Sequence, residues 1–397
     1  MTHDTDIPQG YKATALGVIP QKWEVKCLGD LLSRCTNGLT YDVSITCGIP
    51  VTRIETISTG EINYAKVGYI PNESGYETFR MQKGDILYSH INSLSQIGKV
   101  AYYKGDKEIY HGMNLLLLRA NNCLDKQYLY YTLLTEHMRH MAQIIAKPAV
   151  NQASISTSDL KRVKIAVPPL AEQRKIAEVL GVWDEAIEKQ ARLIEKLALR
   201  KRGLMQRLLS AKLRLPGFSD PWKELKINKI TIIRKGEQVN KDVLFSNAKY
   251  PVINGGITPS GYLDIYNTKA NTITISEGGN SCGYVNFMTT PFWSGGHCYT
   301  IEAKDGINNL FIYQLLKNNE KYIMSLRVGS GLPNIQIKDL GNLKFMIPTY
   351  QEQTAIAEVL TASDREIELA KEKLERLRRQ KRGLMQQLLT GKKRVKY

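Results

Sequence analysis

Cysteine is scarce in this 397-residue chain, and its six copies (Cys27, Cys35, Cys47, Cys123, Cys282 and Cys298) form no CxxC pair and no regular spacing. That excludes a thiolate zinc motif and a disulfide framework; the six read as reduced, mostly buried thiols. Long apolar runs are lacking as well. No stretch approaches the roughly 18–20 apolar residues of a membrane-crossing helix, and no apolar segment follows a basic start. The expectation is a soluble, cytoplasmic protein. Signatures of catalysis are missing too. There is no GxxxxGK[ST] phosphate loop, because GKKR at 391–394 has neither the spacing nor the context. His137 and His140 stand three apart on an expected helix with no acidic or thiol ligand at useful spacing, so they read as ordinary surface or core histidines. Cys282 and His297 are too isolated to serve as nucleophile and base. No catalytic residue, metal ligand or cofactor loop is assigned, and the chain reads as a binder.

Acidic residues are the other shortage: 38 Asp and Glu against 55 Lys and Arg leave a net charge of +17 and a pI near 9.4. Such a balance points to a polyanionic partner; a basic surface kept for solubility is the plainer alternative. The excess is dense where the sequence repeats itself, +5 over 168–215 and +5 over 348–397, against +3 over 1–167 and +4 over 216–347. Those segments either run along a nucleic-acid backbone or dock on acidic proteins.

Residues 168–212 and 348–392 are two copies of one helical segment, aligned without a gap at an offset of 180. About half of the aligned positions are identical, including KRGLMQ at 201–206 and 381–386. So long a period is not a solenoid repeat. It means that a large unit is built twice. Upstream, IPQKWEVKCLGDL (19–31) parallels FSDPWKELKINKI (218–230), with Trp23 matching Trp222, Leu28 matching Ile227 and Leu31 matching Ile230. Before each helical copy, Ile155, Asp159 and Leu160 match Ile335, Asp339 and Leu340. Each unit opens on a Trp-marked strand, passes through a divergent middle, and closes with a strand into a Pro-led helix.

The middles carry short strand candidates broken by Gly, Asn and Ser: 84–91, 99–105 and 114–120, then 271–285 and 297–303. Helices are expected at 125–145 and 309–319, which makes each unit an α+β domain. After Pro168 and Pro348, suited to a helix entrance, a short amphipathic helix buries Ile176, Val179 and Leu180, or Ile356, Val359 and Leu360. Asp184 and Asp364 are then read as N-caps or first-turn acids of a second, longer helix. In it Ile187, Ile194, Lys201 and Leu208 recur every seven residues, with Leu197, Leu204 and Ala211 three positions after the last three. The other copy has Ile367, Leu374, Lys381 and Leu388, with Ala370, Leu377 and Leu384. This is an a/d seam with a lysine at the same place in both copies. Mutual antiparallel pairing is preferred to two helices each packed on its own domain. Lys201 and Lys381 either set the register or point past the seam toward a partner.

The repeated EQ-x-x-IAEVL, the D-x-x-IE that follows, and KRGLMQ-x-LL-[ST] resemble the conserved regions of type I restriction-modification specificity subunits. The resemblance covers the whole plan of the chain. No Asn/Asp-Pro-Pro-Tyr segment of an adenine methyltransferase is present. What the resemblance implies is an α+β, pseudo-twofold protein: two target recognition domains (1–167 and 213–347) with a central (168–212) and a distal (348–397) conserved helical region. Two long antiparallel helices would form a coiled-coil spacer between them. Each domain would read half of a split double-stranded DNA target. Two modification subunits would methylate adenine with S-adenosylmethionine, and two restriction subunits would supply ATP- and magnesium-dependent cleavage; this chain would bind none of those cofactors. Asp184–Ala211 spans 28 residues, about 42 Å of helix, or on the order of 12 base pairs of B-DNA. The alternative is a stand-alone bipartite DNA-binding regulator without catalytic partners.

Base-edge contacts need polar side chains on exposed loops. In the first domain the candidates are Arg34, Asn37, Thr40 and Tyr41, then Ser89, His90, Asn92 and Ser93, then Lys147, Asn151 and Gln152. By repeat position the second domain offers Lys235, Asn254, Ser276, Glu277, Asn280, His297, Arg327, Ser330 and Asn334. Glu277 would accept from cytosine N4; a solvated turn carboxylate is the plainer reading.

Overall fold

The computed structural model describes residues 7–150, 152–329, 331 and 333–396. They fall into two compact units: one takes the chain up to Lys189 together with the stretch from Glu375 onward, and the other is Gln190–Leu374.

Both are organised on the same four-stranded antiparallel sheet. In the first unit the strands run in the order Leu32–Asn37, Leu116–Ala120, Ile86–Tyr88, Val100–Tyr102. In the second the order is Thr231–Lys235, Cys298–Ala303, Thr272–Ser276, Val285–Met288. The run Leu115–Leu118 shows why the sheet is central. Side chains alternate across a strand, so Leu116 and Leu118 enter the main core with Trp23 and Tyr128 while Leu115 and Leu117 enter a second cluster with Ile57 and Met81. An apolar run without alternation is what a strand covered on both faces requires.

The expected helix over 125–145 is two, Lys126–Leu133 and Glu136–Ile145. Thr135 starts the second by accepting the Met138 backbone N–H on its side chain, the capping habit that competes with helix continuation. In the second unit Asn309–Asn318 is followed directly by Glu320–Ser325.

The Trp-marked strands have a definite task. Glu24–Cys27 pairs antiparallel with Lys164–Val167, and Lys223–Lys226 with Lys344–Ile347. Each pair carries its tryptophan to the start of the helix that follows. There Trp23 Nε1 donates to Glu172 Oε2 at 3.1 Å, and Trp222 Nε1 donates to Glu352 Oε2 at 3.1 Å. Both carboxylates are fully buried and each is gripped by an arginine through two nitrogens: Arg394 on Glu172 and Arg214 on Glu352. The neighbouring glutamines are equally matched. Gln173 donates to the Pro168 carbonyl at 2.9 Å and accepts the Asp125 N–H at 2.8 Å; Gln353 donates to the Pro348 carbonyl at 3.0 Å and accepts the Asn308 N–H at 2.8 Å. The recurring Glu-Gln pair is therefore the joint between domain and helix.

The helices correct one expectation. Leu170–Leu208 and Tyr350–Leu389 are each unbroken, of 39 and 40 residues, with no short helix ending before Asp184 or Asp364. Nothing between the two stretches can break them: Gly181 alone costs about 1 kcal/mol, and no proline intervenes. Asp184 and Asp364 are mid-helix acids, not caps, and each receives the ammonium of the opposite copy's lysine, Lys381 on Asp184 and Lys201 on Asp364. Within each unit the partners run in opposite directions along the chain, so the pairing is antiparallel. In the second unit Leu197, Ile367 and Ala370 bury together with Ile194 beside them, and Gln190 donates to the Ala370 carbonyl at 2.9 Å. Leu208, with Leu204 against it, joins the core around Trp222 and Phe311, and Leu388, with Leu384 against it, joins the core around Trp23 and Tyr128. Leu374 is buried, and Ile187 and Leu377 are half-buried.

Candidate nucleic-acid interface

In the second unit the structure draws Lys235, Asn254, Glu277, Asn280, His297 and Asn334 around one pocket of about 490 Å³. Four glycines, 255, 256, 278 and 279, form much of its wall and leave backbone open to a ligand. The strand register explains the gathering. Thr231–Lys235 and Thr272–Ser276 both pair with Cys298–Ala303, so the end of one, the exit of the next and the approach to the third meet at a single sheet edge. Glu277 lies at the back, buried. Its Oε1 accepts from Lys235 Nζ at 2.6 Å and from the Tyr299 hydroxyl at 3.0 Å. Burial and the neighbouring carboxylate push the Tyr299 hydroxyl far above its ordinary range, so it remains a donor. Asn254 fixes the loop by accepting the His297 backbone N–H at 3.0 Å. Ser276 is buried rather than exposed on a loop, its hydroxyl given to the Gly255 carbonyl. Arg327 is exposed outside the pocket lining, and Ser330 lies outside the described residues.

The first unit distributes its candidates differently. Asn37 and Thr40 are exposed after the first sheet strand. Arg34 is tied down: its Nη1 donates to the Thr78 carbonyl, and its guanidinium lies 5.8 Å from the Phe79 ring centre. Tyr41 packs against the small cluster of Val51, Ile70 and Tyr110, and burial raises its hydroxyl pKa. Ser89 and His90 are buried where exposed loop residues were expected, because past the strand Ile86–Tyr88 their backbones stay bonded to Gly98 and Lys99 and to Ile155. Burial alone pulls the His90 imidazole down to about 4, so it is neutral near pH 7. Asn92 donates to the Ser89 hydroxyl at 3.1 Å, and Ser93 is exposed. Lys147, exposed, lies 3.5 Å from Asp159, Gln152 is exposed, and Asn151 lies outside the described residues. A larger groove of about 670 Å³, lined by Leu134, Met138, Ile165 and Met385 among others, contains none of these candidates. Reading the sequence passed over Asn114, which stands two residues before Leu116 of the central strand, as His297 stands two before Tyr299. Only strand pairing reveals that match.

His137 and His140 are exposed. Among the described residues no group of three or more His, Cys, Asp or Glu side chains could hold a metal ion. None of their helices is long and apolar enough to cross a membrane.

Two copies of one α+β domain, joined to paired helices by a repeated Trp–Glu–Arg frame and differing where polar side chains converge, define a bipartite recognition protein. The family model described as "Type I restriction modification DNA specificity domain" matches residues 20–198 and again 219–379. The chain belongs to that family, whose members are non-catalytic specificity subunits. It is 36% identical to the putative type I restriction enzyme MjaX specificity subunit of Methanocaldococcus jannaschii, over 98% of this chain and 97% of the relative. It is 24% identical to the MjaVIII specificity subunit of the same organism, over 95% and 94% of the two chains. The crystal structure of a type I restriction-modification S subunit from M. genitalium shares the fold, with a TM-score of 0.64 over 98% of both chains at 21% identity.

Proposed function

We propose that this chain gives a type I restriction-modification enzyme its DNA sequence specificity. Each of its two domains recognises one half of a bipartite target, the halves are separated by unspecified base pairs, and partner subunits methylate adenine or cleave. In this reading it binds double-stranded DNA, two modification subunits and two restriction subunits. S-adenosylmethionine, ATP and magnesium are used by those partners and not by this chain. The observation that carries the proposal is the double occurrence of one structural frame with different side chains at the same sheet edge. A split-site reader needs that, and a homodimer of one domain type would instead read a palindrome. The domain limits 1–167, 168–212, 213–347 and 348–397 and the candidate readers form part of the same proposal. The test is co-purification with the modification subunit of the same operon, followed by single-molecule sequencing of host DNA. A stable complex writing N6-methyladenine at a split motif is the expected result. A chain that purifies alone and marks no split motif would favour the stand-alone regulator.

A further inference from the structure

The pocket of the second unit has a counterpart in the first that loop lengths conceal. The Ser276 N–H donates to the Tyr284 carbonyl, and the Ser276 carbonyl accepts from Gly283; Ser89 makes the same two bonds with Lys99 and Gly98. The next carbonyl, of Glu277 or of His90, accepts the N–H of Ile335 or of Ile155 at 2.8 Å. Glu277 and His90 thus occupy one position. Lys235 pairs with Tyr299 as Asn37 pairs with Leu116. A glycine follows each, and a Cβ there would meet backbone oxygen, of His111 at 2.0 Å from Gly38 and of Gly295 at 2.3 Å from Gly236. Three equivalent positions therefore carry Lys235, Glu277 and His297 in one domain, and Asn37, His90 and Asn114 in the other.

Glu277 does not reach a base itself. It is 8% exposed, Oε1 is occupied, and Oε2 is covered, without a hydrogen-bond partner and 3.5 Å from His297 Nδ1. What it holds is accessible: the side chains of Lys235 and His297 are 53% and 62% exposed. The charge of Lys235 is balanced by the carboxylate at 2.6 Å, yet only one of its N–H donors is used there. A neutralised ammonium gains little from a phosphate but still suits a neutral edge with two acceptors. In the major groove that edge is guanine O6 and N7, whereas an amide such as Asn37 matches adenine N6 and N7.

Resting on the DNA-recognition reading above, we propose that the end of the first sheet strand is the base-reading position of each domain. Lys235 reads a guanine, Asn37 is its counterpart in the other half-site, and Glu277 is the positioning residue that holds Lys235. Lys235→Met, Glu277→Gln and Asn37→Ala chains, each in complex with the modification subunit, are compared with wild type by genome-wide mapping of N6-methyladenine. Melting temperature and co-purification are followed in parallel. For Lys235→Met, one guanine of one half-site loses its requirement, and sites with another base there gain methylation at least tenfold. Glu277→Gln relaxes the same position less and adds nothing in the Lys235→Met background, while Asn37→Ala relaxes one position in the other half only. An even loss at all sites under Lys235→Met would mark a phosphate contact and overturn the proposal, as would an unchanged motif. Should Glu277→Gln fail to co-purify, Lys235→Met, at a half-exposed side chain, decides alone. A wild-type complex that writes no split motif fails the DNA-recognition reading instead.

Discussion

His90 and His111 are both buried in the first unit, and desolvation pulls each imidazole down to about 4. His111 Nε2 sits 2.9 Å from the Leu115 carbonyl and donates to it, and no protein group partners its Nδ1. In the unfolded chain these rings titrate near 6.5. Between the two values the unfolded state binds more protons, so stability rises with pH there. The contribution is complete above about pH 6.5 and is lost as the pH falls toward 4. At pH 5 each ring costs on the order of 2 kcal/mol. The second unit has no buried histidine among its described residues, so acid should unfold the first unit before the second. Hydrogen exchange at pH 5 and pH 7 would check this, and equal loss of protection in both units would count against it. A His111→Asn chain should lose less stability on acidification than the wild type.

The joint between domain and helix sets the stakes for the secondary elements. Glu352 is fully buried and, among the described residues, its ionised partner is Arg214, with Trp222 as a further donor. Removing one partner of such a pair leaves a buried charge uncompensated, which costs about 3–5 kcal/mol. Arg214→Ala is therefore expected to lower the unfolding free energy of the second unit by that amount, read from urea or thermal melts. A change below about 1 kcal/mol would mean that the carboxylate had found water or a proton. The elements of this joint were legible beforehand because the same residues recur: Trp23 with Trp222, Glu172 with Glu352, and KRGLMQ twice. The helix continuity was not, because an acid three residues after a glycine or threonine looks like a cap until its lysine partner on the other helix is seen. The reading positions were harder still. Asn37 and Lys235 lie 198 residues apart, His90 and Glu277 187, and Asn114 and His297 183. No single alignment offset brings the three together; only the sheet register does.

For the whole molecule, the charge of +17 makes binding depend on counterion release. If the complex neutralises about six phosphates, affinity for non-specific duplex should fall about a thousandfold between 50 and 200 mM salt. Filter binding or anisotropy across that range tests it, and a flat response would point the basic helices at protein partners. If the length of the paired helices sets the spacing between the two half-sites, lengthening them has a direct consequence. Four residues inserted into both Leu170–Leu208 and Tyr350–Leu389 add about 6 Å to each helix. The unspecified spacer should then lengthen by about one to two base pairs; methylation maps that keep the original spacer would reject the idea.

Arg394 and the neighbouring Leu388 and Leu389 complete the first unit from the far end of the chain, while everything in Gln190–Leu374 is contiguous. On the ribosome this reverses the usual order, in which domains mature from the N-terminus as they emerge at about 5–20 residues per second. The first unit waits for the helical turns that carry Leu388 and Leu389, and its buried Glu172 stays without its arginine until residue 394 has been made. A ribosome stalled before codon 394 would therefore carry a mature second domain and an immature first, and any chaperone or protease that samples the nascent chain would meet them in that order.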